Sequence, residues 1–243
     1  MNPTKCKMIK FGNRTTNRDV TSDFGTFTTT TSTRHLGIII DSALSFKEHH
    51  ENLIKKSKIK IGFILRRAMD ASLRLGLYKA LVLPIFEFGS AIWGPKTHIM
   101  SNRIEQLQRY FLRRTFSDLP NYGTRLKHSN LQPIWLRFNI SSLCTLHYLF
   151  HSMELEALPN RTNPHISRNG VTIFQIRLTY PLNKILLFTS VPLYNNLPRE
   201  LRDLTNGKTF RDSITVHYTN IILSILNSTD DHSRNLFLSR AIN

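Results

Sequence analysis

The side chains that could carry covalent or metal chemistry are few and poorly spaced for it. The one adjacent carboxylate pair, Asp230-Asp231, follows Ser228-Thr229 in a polar tail, without the apolar strands that would hold two carboxylates on a pair of divalent ions. His49-His50 falls in a helical stretch, where neighbouring side chains point about 100° apart and do not share a metal. Solvated surface histidines are expected there. Cys6 and Cys144 lie far apart without metal-ligand spacing, so neither a zinc site nor a disulfide framework follows. A phosphate-cradling Gly loop and a Ser-nucleophile motif are both absent from the sequence. No catalytic or metal-ligating residue is therefore assigned. Cations are plentiful instead: 33 Lys and Arg stand against 16 Asp and Glu, a formal charge of +17. Such a balance selects polyanionic partners, with nucleic acid first and an anionic membrane surface second.

The cations also cluster. Residues 46–69 hold seven bases and two acids, a net +5, and Ile59 and Phe63 form an i, i+4 apolar pair among Lys55, Lys56, Arg66 and Arg67. In residues 101–116, Tyr110 stands among Arg103, Arg109, Arg113 and Arg114. Cations interleaved with an aromatic or aliphatic group can meet phosphates while the apolar group covers a sugar or base. Lys55, Lys56, Arg66, Arg67, Arg103, Arg109, Tyr110, Arg113 and Arg114 are accordingly the candidate nucleic-acid contacts. The competing readings are a solvated helix face and, for Ile59 and Phe63, contact with another helix.

Several elements must position these residues. Short β-branched or aromatic runs at 7–11 and 35–40, bounded by Gly12 and Asp41, read as strands of a small hairpin. The Thr-rich stretch between them reads as a mobile loop with a short strand near Phe24–Phe27. Ser45 and Glu48 make a capping box before a helix over 46–69, whose inward face carries Phe46, Leu53, Ile54, Ile61, Ile64, Leu65 and Ala68. A second helix starts near Ala71 and is kinked or broken by Pro84, and a third spans 101–116 with Ile104, Leu107, Phe111 and Leu112 inward. Three such helices in succession form a small bundle. A linker is expected over 118–132, a helix over 133–156, irregular chain at 159–170, strands at 171–178 and 184–191, and a last helix over 209–226. The fold class is α+β, mostly α, with segments 1–44, 45–117, 118–132 and 133–243. The N-terminus lacks the apolar core of a signal peptide, and the longest apolar run, residues 78–95, is interrupted by Lys79 and Glu87. A soluble intracellular chain, nuclear or cytoplasmic and without membrane contact, is expected.

Taken in order, "NPTKCKMIKFG", "HLGIIIDSALSFKEHHENLIKKSKIKIGFILRR", "LYKALVLPIFEFGSAIWGP" and "RIEQLQRYFLRR" resemble the region downstream of the catalytic palm in reverse transcriptases of jockey/CR1-type non-LTR retrotransposons. The resemblance covers residues 3–116, and residues 186–214 are similar to the C-terminal segment of the same polyproteins. It implies that 45–117 correspond to the thumb, an α-helical subdomain beside the primer–template duplex. It implies that Leu36 and Gly37 form a primer-grip-like turn, with His35 where the family has Tyr. It also implies that Phe88-Gly89-Ser90-Ala91-Ile92-Trp93-Gly94 closes the second thumb helix, with Trp93 as core. The family's activity is RNA-directed DNA polymerisation with magnesium, held by an aromatic-x-Asp-Asp hairpin that in relatives precedes the region matched here. The expectation is therefore a truncated fragment with no cofactor of its own, which binds RNA/DNA duplex independently of sequence and does not polymerise. A translated transposon relic and a host-adopted basic nucleic-acid-binding module are the alternatives.

Overall fold

The computed structural model describes residues 7–11, 20–22, 25–27, 29–152, 165–166, 172–173, 185 and 189–227. The chain is α+β and mostly helical. Strand β1 (Val20–Ser22) pairs antiparallel with β2 (Gly25–Phe27), and β3 (Ser32–His35) with β4 (Ile38–Asp41), Ser32 standing opposite Asp41 and His35 opposite Ile38. The strand expected over 35–40 therefore begins only at Ile38. Leu36 and Gly37 are the two-residue connection, both at positive φ (47° and 90°), the combination whose twist matches that of the flanking strands. Glycine adopts this geometry freely, whereas Leu36 is strained in it. In the run expected as a strand at 7–11, Met8 makes a parallel bridge to Thr29.

Asp41 joins the hairpin to the helices. Its carboxylate accepts hydrogen bonds from the backbone N–H of Ala43, Ser45 and Phe46 at 3.0, 3.0 and 2.8 Å, and from the Ser45 hydroxyl at 3.1 Å. These bonds hold Leu44 and Phe46 at positive φ (49° and 53°) and drive both side chains into the core. The expected Ser45–Glu48 capping box does not form: Phe46 precedes α1 (Lys47–Arg67) and offers no side-chain cap, and Ser45 Oγ accepts only from Lys47 N–H, at 3.4 Å.

After α1, the Asp70 carboxylate caps α2 (Ala71–Leu81) by accepting from Leu73 N–H at 2.9 Å. The break expected near Pro84 falls at Val82, because Pro84 sits in the first turn of α3 (Leu83–Glu87) and has no N–H to continue the ladder. Gly89, at φ 65°, then opens the single turn α4 (Ser90–Trp93). A β-carbon at Gly89 would lie 2.6 Å from Ile38 Cδ1, so the hairpin packs directly on this backbone. Trp93 is fully buried, donates its indole N–H to Phe88 O at 2.7 Å, and meets Phe138 edge-on at 5.4 Å. Helix α5 (His98–Thr115) completes a three-helix bundle with α1 and α2.

Residues 118–132 are not a linker. They contain α6 (Tyr122–Ser129), whose first turn is capped by Asn121 and whose end is closed by Asn130 at φ 48°. Leu126 and Leu131 are buried in the same core as the bundle. Helix α7 (Ile134–Ser152) starts against the buried carboxylate of Glu105, which accepts from Ile134 N–H at 2.8 Å and from the Tyr122 hydroxyl. Gln108 ties the same joint together, donating to Tyr122 Oη and to Gln132 O, both at 2.9 Å. Burial pushes the Glu105 carboxyl up, opposed by the Tyr122 hydrogen bond, the Arg109 charge and the α7 N–H groups.

A second core forms where α7 meets α8 (Val191–Asn195), α9 (Arg199–Arg202) and α10 (Gly207–Asn227), around Leu143, Leu146, Tyr194, Phe210 and Ile214. His147 stacks on Phe210 at 3.7 Å, and its Nδ1 lies 3.0 Å from the Tyr194 hydroxyl. Of the strand expected over 171–178, Thr172–Ile173 form β6, antiparallel to β5 (His165–Ile166) inside the stretch expected to be irregular. Val191, expected to end a strand, instead opens α8, with Pro192 in its first turn. Residues 171, 174–178, 184 and 186–188 of those two strands, the polar tail with Asp230-Asp231, and Cys6 lie outside the described residues, and Ile185, Thr189 and Ser190 are not in strand. Among the described residues no helix is long and apolar enough to cross a membrane.

Candidate nucleic-acid interface

Helix α1 is the spine of the candidate interface. Leu53, Ile54, Ser57, Ile61 and Ile64 are buried against the bundle. Lys55, Lys56, Lys58, Ile59, Lys60, Phe63, Arg66 and Arg67 occupy the exposed side. Its apolar stripe follows the helical period, which leaves these cations and the Ile59–Phe63 pair exposed among the described residues.

Two concave surfaces flank this exposed face. The first is a cleft of about 500 Å³ between the hairpin tip and α1, with Arg34, Gly37 and Ile39 from the hairpin, His49, Asn52, Lys56 and Lys60 from α1, and Phe88 from the end of α3. The hairpin is held over α1 by His49, whose Nδ1 accepts from Ile39 N–H at 3.3 Å. Burial, the neighbouring His50, and the charges of Lys56 and Arg34 together push the His49 pKa down to about 4, so the ring is a neutral acceptor with two cations beside it. His50 is buried and donates from Nε2 to Trp93 O at 2.7 Å. The expectation of solvated surface histidines is therefore wrong for both, because β4 and α4 close over this turn of α1. Phe88 is 60% exposed and Leu36, at the hairpin tip, 78%. Both are large apolar groups left at the edge of a basic cleft.

The second concavity, of about 370 Å³, lies between α1 and the ends of α2 and α5, lined by Gly62, Arg66, Arg74, Tyr110 and Arg114. Tyr110 is 43% exposed, with the Arg114 guanidinium 6.0 Å from its ring centre.

These surfaces sort the sequence-based candidates. Gly37 and Lys56 meet in the cleft beside Leu36, and Arg66, Tyr110 and Arg114 meet in the second concavity. Lys55, Arg67 and Arg113 are exposed outside both. Two candidates are taken by partners within the fold. Arg103 pairs through both terminal nitrogens with Glu51, at 2.6 and 3.0 Å. Arg109 is half-buried, with its guanidinium 4.5 Å over the Tyr122 ring, so it does not lie on the outer face expected for it. Arg34, Asn52, Lys60 and Phe88 were missed: the first three are polar residues among other polar residues of a strand and a helix, with no spacing that singles them out, and Phe88 reads as core. Only their convergence in the cleft distinguishes them.

No family model matches the chain, and no solved structure matches it. Over 135 aligned residues it is 26% identical to the uncharacterized protein B0403.1 of Caenorhabditis elegans, an alignment that spans 51% of this chain and 68% of that protein.

Proposed function

We propose that this chain corresponds to the part of a non-LTR-type reverse transcriptase that follows the catalytic palm, and that it binds primer–template nucleic acid without polymerising by itself. The observation that carries the reading is the cleft, where a tight hairpin turn at Leu36-Gly37 stands over the same hollow as Lys56 and Lys60 of the basic helix α1. A duplex end seated there would meet Arg34, Lys56 and Lys60 with its phosphates and Phe88 or Leu36 with its terminal sugar or base. Contacts of this kind are electrostatic and do not read sequence.

The test is fluorescence anisotropy with a labelled RNA/DNA heteroduplex. Three phosphate contacts in the cleft give a slope of log K against log salt of about −2.7, at about 0.9 per contact, with further steepening from Lys55, Arg66 and Arg67. Affinity independent of salt, or confined to one sequence, would overturn the proposal.

A further inference from the structure

The concavity between α1, α2 and α5 has features that a uniform basic face lacks. Arg74 is committed to the fold: its guanidinium donates to Ala68 O at 2.7 Å, Leu65 O at 3.3 Å and Arg114 O at 3.2 Å, closing the C-terminal ends of α1 and α5, where carbonyls point outward and carry partial negative charge. With that negative charge met by Arg74, the guanidinium groups of Arg66 and Arg114 are left for an outside anion. None of the lining residues carries a carboxylate. Gly62 lines the hollow, and the nearest group to a β-carbon there is the Arg66 guanidinium at 3.8 Å, so a side chain added at this position would extend toward Arg66. One wall is the exposed Tyr110 ring, backed by Arg114.

An aromatic face, two guanidinium groups and a space of about 370 Å³ fit one planar base and its phosphate, not a base pair. We propose that this concavity is a subsite for a single unpaired nucleotide, which stacks on Tyr110 with its phosphate between Arg66 and Arg114. The inference rests on the nucleic-acid-binding reading above and adds a preference: substrates with an unpaired extension bind better than blunt duplex. The cleft holds the paired end on one side of the exposed face of α1, and the unpaired strand crosses Ile59 and Phe63 to reach Tyr110.

Anisotropy titrations of the full chain would compare a blunt heteroduplex, the same duplex with a single-stranded extension of about five nucleotides, and one with an abasic extension of equal length. The base-bearing extension should raise affinity about fivefold or more, the low end of what stacking on an aromatic ring supplies. The abasic extension should not. Gly62→Leu puts an apolar side chain beside Arg66 without changing charge and substitutes a good helix former. It should abolish the gain while leaving blunt-duplex affinity within about twofold; Tyr110→Ala should also abolish the gain, whereas Tyr110→Phe retains it. An equal gain from the abasic extension, or a gain that survives Gly62→Leu and Tyr110→Ala, overturns the subsite. Blunt duplex failing to bind while a single strand binds in a Gly62→Leu-sensitive way would instead sink the primer–template reading and keep the subsite.

Discussion

Replacing Arg34 and Lys56 together by Gln isolates the cleft from the rest of the basic surface. Both side chains line it, and they come from different elements, so the double variant tests the convergence rather than the helix face. Lys60 is the third cation, but its Nζ donates to Leu81 O at 3.1 Å at the end of α2, and changing it would confound binding with folding. Loss of two phosphate contacts should lower the salt slope by about 1.8, at about 0.9 per contact. Because that term scales as a power of salt concentration, the variant should bind about 60-fold more weakly at ~0.1 M salt, with the difference vanishing toward ~1 M. The melting temperature should hardly change, since Gln keeps helix propensity at position 56. A second readout needs no nucleic acid. The His49 pKa is held down to about 4 by burial, then by His50, then by Lys56 and Arg34, so removal of the last two should move its NMR titration upward toward the ordinary histidine range. Arg103→Gln serves as the control, because that charge is already met by Glu51 and its loss should leave the slope within about 0.3 of wild type. If the double variant keeps the wild-type slope while His49 shifts, the cations surround the cleft but no phosphate enters it, and the reasoning from cleft to ligand is refuted.

The remaining predictions concern the fold that holds the cleft. Trp93→Ala should cost about 3 to 5 kcal/mol in denaturant unfolding, since the buried indole fills the space between α1 and α7 and its N–H closes the turn at Phe88; an unchanged midpoint with lost binding would make Trp93 a contact residue instead. Gly89→Ala should destabilise by more than about 1 kcal/mol through positive φ alone, and further through the 2.6 Å approach to Ile38 Cδ1. Gly76→Ala, on an open face of α2, should stabilise by up to about 1 kcal/mol, and if both changes had the same sign the packing described here would be wrong. Thermal stability should fall as pH drops from 6.5 toward 4. His49 and His147 are both depressed to about 4, first by burial and then by neighbouring histidines, so in that window the unfolded chain binds protons that the folded chain does not. Glu105, raised by burial, acts in the opposite direction, losing stability as pH rises above its usual range. A melting temperature constant or rising between pH 6.5 and 5 would contradict these two neutral histidines.

Much of the helical framework was legible because burial along one helix is periodic. Phe111 and Leu112, Leu53 and Ile54, or Ile61 and Ile64 each announce an inward face whatever lies opposite. What was not legible depends on partners distant in sequence. Helix α6 has a single buried leucine, Leu126, and otherwise polar or half-buried residues, too little for a period to emerge, and it read as a linker. Glu105 and Gln108 occupy polar letters on α5 but are buried, because the α7 N-terminus and Tyr122 arrive there to satisfy them. Asp41 displaced the capping box through a loop conformation that no spacing rule specifies.

The same distinction governs the candidate site. A helical wheel reports which cations leave their own helix, not which of them a neighbouring element then takes. Arg103 and Arg113 look alike in the sequence, yet Arg103 is matched by Glu51 from α1, while Arg113 is exposed. Arg109 and Arg114 look alike as well, yet each lies over a different tyrosine: Tyr122, half-buried where α5 meets α6, and Tyr110, exposed on the rim of an open hollow. A charge already paired gains little from a phosphate, since a new ion pair would have to break the old one. A charge left beside an exposed ring or an uncovered hollow gives up only hydration. The net charge of the chain therefore overstates how much charge is exposed to meet an outside phosphate, and its distribution decides it. Arg34 and Lys56 on one side of α1, and Arg66 and Arg114 on the other, belong to two surfaces set apart by the width of a helix. On the proposed reading, one ligand occupying both would span that helix, paired on one side and unpaired on the other.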